Sequence, residues 1–218
     1  SYAFSNWRAP APQYVLLVGD STYDFKDNYN RGTVNHVPAY TVFTDYMGET
    51  VTDEYFVTIS GDDAVPDIYI GRLPAATGDD AAKMVAKIVS YESTPNTKGW
   101  EKNVLLIADN QREGDDYLYE ADFAAMNDAA AAILPAYMNP QTGYLGIHYA
   151  TAAALNDFIF NSLNDNGALI VNYSGHGATQ IWADEHILEA YSLAGLTNSV
   201  ELPFFVSMSC ETGVFSYP

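Results

Sequence analysis

Ala168-Leu169-Ile170-Val171-Asn172-Tyr173-Ser174-Gly175-His176-Gly177 decides how this chain is read. A short, mostly apolar run that ends in a glycine-bounded turn is the pattern of a strand buried inside a parallel sheet. Leu202-Pro203-Phe204-Phe205-Val206-Ser207-Met208 repeats the pattern, with its proline at the start, where a missing N–H is tolerated, and it runs into Ser209-Cys210. In open parallel sheets functional groups gather beyond the carboxyl ends of the strands. His176 and the single cysteine, Cys210, both fall there, 34 residues apart. That spacing is enough for a crossover between parallel neighbours, which lie about 4.8 Å apart.

Working outward, Tyr14 to Asp20, Asp67 to Gly71 and Asn103 to Ala108 read as further strands, and Tyr40 to Tyr46, Tyr55 to Ile59 and Tyr144 to Tyr149 as weaker ones. Residues 79–92 form an amphipathic helix with an acid three residues after the Thr77 cap. Glu120 to Leu134 is an alanine-rich helix stopped by Pro135, and Thr151 caps a helix running to Leu163. This alternation predicts an α/β fold of mostly parallel sheets flanked by helices. The turn-forming stretch Thr94 to Gly99 divides it into an N-terminal lobe, 1–99, and a second lobe, 100–218, side by side.

The 218 residues are 48% hydrophobic and 14% aromatic, ample for a core. Nine Lys and Arg face 28 Asp and Glu, a net charge of −19, which argues against binding a nucleic-acid backbone or an anionic membrane. One cysteine excludes an intrachain disulfide and a multi-thiolate zinc site, and no run of about 18 apolar residues is present to span a bilayer. Ser1 to Ser5 lack a basic stretch followed by an apolar core, so a signal peptide is absent or already removed. Every cation lies at or before Arg112, whereas 13 acids follow it. Acidic solubility is the plain account of that asymmetry. It has a sharper consequence. An acid in the second half has no cation of its own half to pair with, so it must face water, hold a proton or bind a metal.

A thiol beside an imidazole is an activated nucleophile, because the histidine takes its proton and later protonates a leaving amine. The N–H groups of Gly177 and Cys210 can then hold the oxyanion. Taken singly, a cysteine at a strand end is most often a small buried residue, and a histidine between glycines is often only a turn residue. Their joint placement at successive strand ends favours a His176/Cys210 dyad.

Gly175-His176-Gly177 with Trp182, then Leu202-Pro203-Phe204 and Cys210-Glu211-Thr212-Gly213, resemble the catalytic segments of the gingipain-type cysteine peptidases, and the likeness extends over roughly residues 14–218. The resemblance implies a caspase-like fold of two side-by-side lobes, His176 and Cys210 as the dyad, and Gly177 and Cys210 as oxyanion donors. It implies protein or peptide substrates and a secreted or cell-surface setting. Where arginine-specific members place a glutamate that supports the histidine, this chain has Asp109-Asn110-Gln111, which makes Asp109 the candidate substitute, with a solvated turn aspartate as the plain alternative. Asp122, followed by Phe123, resembles the acid at the floor of their arginine pocket, and with Trp182 it is assigned to substrate binding, with cleavage after Arg or Lys. The plain alternative for Asp122 is a favourable acid in a first helical turn. Such peptidases continue well beyond the cysteine, whereas eight residues follow Cys210 here, so the chain reads as a piece that can fold and yet lack activity.

Two other readings compete. Leu17-Val18-Gly19-Asp20-Ser21 resembles the nucleophile block of the GDS-type serine esterases, although Asp184-Glu185-His186 has one residue too few for their second motif. A catalytically silent, acidic surface-binding module on a peptidase fold would use the tyrosine-rich loop from Tyr23 to Tyr40. The chemistry requires no cofactor. Asp62-Asp63 with Asp67, and Asp115-Asp116 with Glu120, are the candidates for a structural calcium ion, and neither has EF-hand spacing.

Overall fold

The computed structural model describes residues 2–7, 9–45, 48–93, 99–110, 122–198 and 200–217. It divides into two compact units, residues 1–88 with 214–218, and residues 89–213.

The first unit opens with a short helix, α1 (Tyr2–Asn6), and pairs β1 (Tyr14–Val18) in parallel with β4 (Tyr69–Leu73). Between them β2 (Tyr40–Thr44) and β3 (Gly48–Thr52) form an antiparallel hairpin. The expected strand at Tyr55 to Ile59 is instead a single 3-10 turn, Glu54–Phe56, whose first N–H is taken by the Thr52 hydroxyl at 3.2 Å. Helix α2 (Gly78–Ser93) follows β4 and begins where Thr77 Oγ1 accepts from the Asp80 N–H and donates to the Asp80 carboxylate, a reciprocal cap. The boundary expected at Thr94 to Gly99 lies, but for Gly99, outside the described residues.

The second unit holds a four-stranded parallel sheet in the order β11-β7-β5-β6, built from β5 (Asn103–Ala108), β6 (Asn139–Tyr144), β7 (Ile170–Ser174) and β11 (Phe204–Met208). After its first residue β5 is buried throughout, which is why its sequence is a continuous apolar run. Val104, Leu106 and Ala108 form one core with Phe123, Ala124 and Ala131 of helix α3 (Phe123–Ala132). Leu105, Ile107, Val171 and Tyr173 form the other with Leu155 and Ile159 of helix α4 (Ala152–Asn161). Thr151 caps α4 as its position predicts, accepting from the Ala154 N–H. The edge strand β6 ends at Tyr144 rather than beginning there. Residues 144–149 are a turn in which the Tyr144 carbonyl accepts from the N–H groups of His148 and Tyr149. Three short strands, β8 (Gly177–Ala178), β9 (Ile181–Trp182) and β10 (Leu188–Glu189), make a small antiparallel sheet between β7 and β11 in the chain. Among the described residues no helix is long and apolar enough to cross a membrane.

Candidate active site

The register of the sheet brings the expected residues together. Ala108, Ser174 and Met208 are the aligned last residues of β5, β7 and β11. The ladder runs one step further, with the Asp109 N–H donating to the Ser174 carbonyl and the Gly175 N–H to the Met208 carbonyl. His176 and Cys210 therefore stand two residues beyond matched positions on neighbouring strands, with Asp109 at the end of the third.

The main chain of His176 is held at both ends. Its N–H donates to Asp109 Oδ2 at 3.2 Å. Its carbonyl accepts from the Tyr173 hydroxyl at 2.6 Å and from the Ala183 N–H at 2.9 Å. The half-buried ring meets Phe123 edge-on, with centroids 5.4 Å apart. Asp109 is thus beside the histidine, as expected, and the hydrogen bond it makes there is to the backbone. Its other oxygen accepts from the Asn110 N–H at 2.8 Å. Burial pushes the Asp109 carboxyl above the usual carboxylate range, against the lowering effect of the hydrogen bonds from His176 and Asn110.

Two glycines allow this packing. A side chain at Gly175 would stand 2.4 Å from Asp109 Cβ and 2.5 Å from the Tyr173 hydroxyl. One at Gly177 would stand 2.8 Å from the Cys210 carbonyl oxygen and 3.0 Å from Ser209 Oγ. The loops that carry the imidazole and the thiol thus meet backbone to backbone. Cys210 itself is exposed.

The remaining expected residues are distributed as follows. Asp122 is exposed and caps α3, accepting from the Ala125 N–H at 2.9 Å; its neighbour Phe123 is the residue against His176. Trp182 is 7% exposed and stacks on Tyr173 with centroids 4.3 Å apart, so it offers substrate little surface and gives Tyr173 a full face. Ser21 is 1% exposed, and its hydroxyl has no hydrogen-bond partner among the described residues, so it gives an ester no access. Asp67 is occupied by the N–H groups of Ile59 and Ser60, and Asp63 by that of Val65. Asp115, Asp116 and Glu120 lie outside the described residues. Among the described residues no group of three or more His, Cys, Asp or Glu is placed to hold a metal ion.

Sequence reading did not single out Tyr173 or Asn127. Asn127 is fully buried on α3, donates to the Ile107 carbonyl, and accepts from Asn172 and Ser174, pinning α3 to β5 and β7. A polar residue within an alanine-rich helical face was the available signal.

A parallel α/β chain that presents an imidazole and a thiol at adjacent strand ends has the architecture of a caspase-like cysteine peptidase. The model of Peptidase family C25 matches residues 1–218, and the chain belongs to that family, the gingipain-type cysteine peptidases. It is 26% identical over 205 residues to gingipain R2 of Porphyromonas gingivalis, covering 94% of this chain and 24% of that protein. It is 28% identical over 169 residues to a Lys-gingipain of the same organism, covering 77% of this chain and 9% of that protein. The crystal structure of the Arg specific cysteine proteinase gingipain R superimposes with a TM-score of 0.72 at 25% identity, covering 96% of this chain and 43% of that one. The chain therefore spans a quarter or less of these curated relatives and under half of the solved structure.

Proposed function

We propose that this chain carries the catalytic dyad of a secreted or cell-surface cysteine endopeptidase that cleaves protein substrates after Arg or Lys. Cys210 is the nucleophile and His176 the general base and acid. The Cys210 sulfur bonds to the scissile carbonyl carbon as its proton passes to His176, and the carbonyl oxygen becomes an oxyanion held by the N–H groups of Gly177 and Cys210. Collapse expels the amine, which takes the proton from His176, and leaves a thioester. Water then attacks the thioester, giving its proton to His176, and the thiol is restored. These steps need no cofactor. Asp109 fixes the histidine's main chain, and Asp122 receives the basic side chain.

The observation that carries this reading is the contact between the Gly177 and Cys210 backbones, with no room for a side chain between them. Family membership supports the reaction class, and the Arg- and Lys-specific names of the relatives support the basic preference. In the full-length protein, iodoacetamide is expected to alkylate Cys210 at neutral pH faster than a free thiol, and His176→Ala should remove that advantage. Unchanged alkylation in His176→Ala, with peptide cleavage surviving Cys210→Ala, would overturn the dyad. Equal turnover of neutral and basic P1 peptides would overturn only the preference.

A further inference from the structure

The turn that carries Cys210 is closed from beneath by three hydroxyls. Ser207 Oγ and Ser209 Oγ are 2.8 Å apart, Ser209 Oγ and Thr212 Oγ1 are 3.1 Å apart, and Thr212 donates to Ser207 Oγ at 3.1 Å. Each hydroxyl has one proton to give. Once Thr212 gives to Ser207, the ring closes when Ser207 gives to Ser209 and Ser209 to Thr212, so every hydroxyl donates once and accepts once. All three protons are then committed within the ring.

The ring joins the end of β11 to both flanks of the thiol, since Ser207 pairs with Tyr173 in the sheet, Ser209 precedes Cys210 and Thr212 follows it by two. Between them Glu211 sits at φ 54°, a left-handed conformation that a residue with a Cβ adopts only when its surroundings impose it. Ser209 also forms the surface against which Gly177 packs, its Oγ lying 3.0 Å from where a side chain there would begin. One closed set of hydrogen bonds thus fixes the turn of the nucleophile and abuts the other oxyanion donor.

We infer that Ser207, Ser209 and Thr212 form a positioning ring that sets the Cys210 main chain, and with it the aim of the thiol and the Cys210 N–H, against Gly177. The inference rests on the reading of Cys210 as the nucleophile. None of the three hydroxyls reacts; they act through the turn. Because the ring opens once, wherever it is cut, its loss is not additive.

The test uses the full-length protein with Thr212→Val, which keeps the shape and removes the proton, Thr212→Ser, Ser207→Ala, and the double variant Ser207→Ala/Thr212→Val. Thr212→Val is expected to lower kcat by about 10- to 100-fold, as misplacing a reacting group does, with KM within about twofold. Iodoacetamide alkylation of Cys210 should slow in parallel, Thr212→Ser should restore both rates, and the double variant should be no worse than either single one. Parental kcat in Thr212→Val, or losses that multiply in the double variant, would overturn the ring. If Thr212→Val fails to fold, Ser207→Ala opens the ring from the strand side and is judged against Thr212→Ser by the same outcomes. His176→Ala separates the two claims: if it leaves alkylation unchanged the dyad itself fails, and if it alone slows alkylation only the ring does.

Discussion

Asp53 in the first unit and Asp109 in the second are both carboxylates taken largely out of water, and they are stabilised in opposite ways. Asp53 receives a bidentate guanidinium, with Arg72 Nε and Nη2 each 2.7 Å from one of its oxygens, and both side chains are nearly buried. Arg72 Nη1 also donates to the Gly19 and Val37 carbonyls, and its guanidinium lies 4.6 Å from the centre of the Phe215 ring. Asp109 is 4% exposed and rests on two backbone N–H groups. The paired carboxylate is frame, joining five segments of the chain. The carboxylate held by backbone alone sits where His176 must be aimed. Buried charge with a full partner set gives rigidity, whereas buried charge held by N–H groups leaves a group whose protonation responds to its surroundings.

The largest test of this contrast is Arg72→Met. It strands a buried carboxylate and frees two carbonyls, so urea unfolding should show a loss of about 3–5 kcal/mol, the usual result of removing one partner of a buried pair. Removing the second charge too, as Asp53→Leu in the same chain, should recover much of that loss. A loss below about 1 kcal/mol would class the pair with exposed ones and dissolve the contrast.

Asp109→Asn is the matching test in the second unit. An amide accepts through only one of its two ends, so one of the His176 and Asn110 N–H groups loses its acceptor, at a cost of about 1–3 kcal/mol. The pH dependence sets this apart from simple loss of a bond. Burial raises the Asp109 carboxyl, so between its ordinary value and the raised one the native chain holds a proton that the unfolded chain has released. Native stability from this group is therefore present at low pH and lost as pH rises through that window. The variant lacks the titration, so its melting temperature relative to the parent should improve as pH rises. A difference that is flat with pH would show that Asp109 carries no such strain.

The frame of the sheet was legible because its strands carry short apolar runs, unbroken in the buried Asn103–Ala108 and present also in Ile170–Ser174 and in Phe204–Met208, which is the opposite edge strand and exposes Phe204 and Met208. The edge strand Asn139–Tyr144 was not. An edge tolerates the proline and glycine that it contains, and these read as breakers when its place in the sheet is unknown. The same logic divides the site. His176, Cys210 and Asp109 announce themselves by residue type at strand ends. The hydrogen bond from Tyr173 to the His176 carbonyl and the closure of Ser207, Ser209 and Thr212 depend on how a turn folds back, which spacing along the chain does not encode. Asp53 and Arg72, 19 positions apart, met for the same reason without a signal in either.

Asp122 is the third solution for an acid and the smallest effect. It faces water, and what the fold requires of it is an oxygen for the Ala125 N–H. Asparagine supplies that oxygen as well as aspartate does, so Asp122→Asn should alter stability by no more than a few tenths of a kcal/mol, whereas Asp122→Ala should cost about 1 kcal/mol. Substrate preference separates cap from pocket. If the charge receives a basic side chain, both variants should lower kcat/KM for Arg and Lys peptides by about tenfold or more, corresponding to 1.4 kcal/mol or more of binding, and leave neutral peptides unchanged. If only the cap matters, Asp122→Asn keeps the parent's preference and Asp122→Ala loses stability alone. Assays of the two variants on paired basic and neutral peptides therefore decide whether this acid is exposed for want of a partner or in order to receive one.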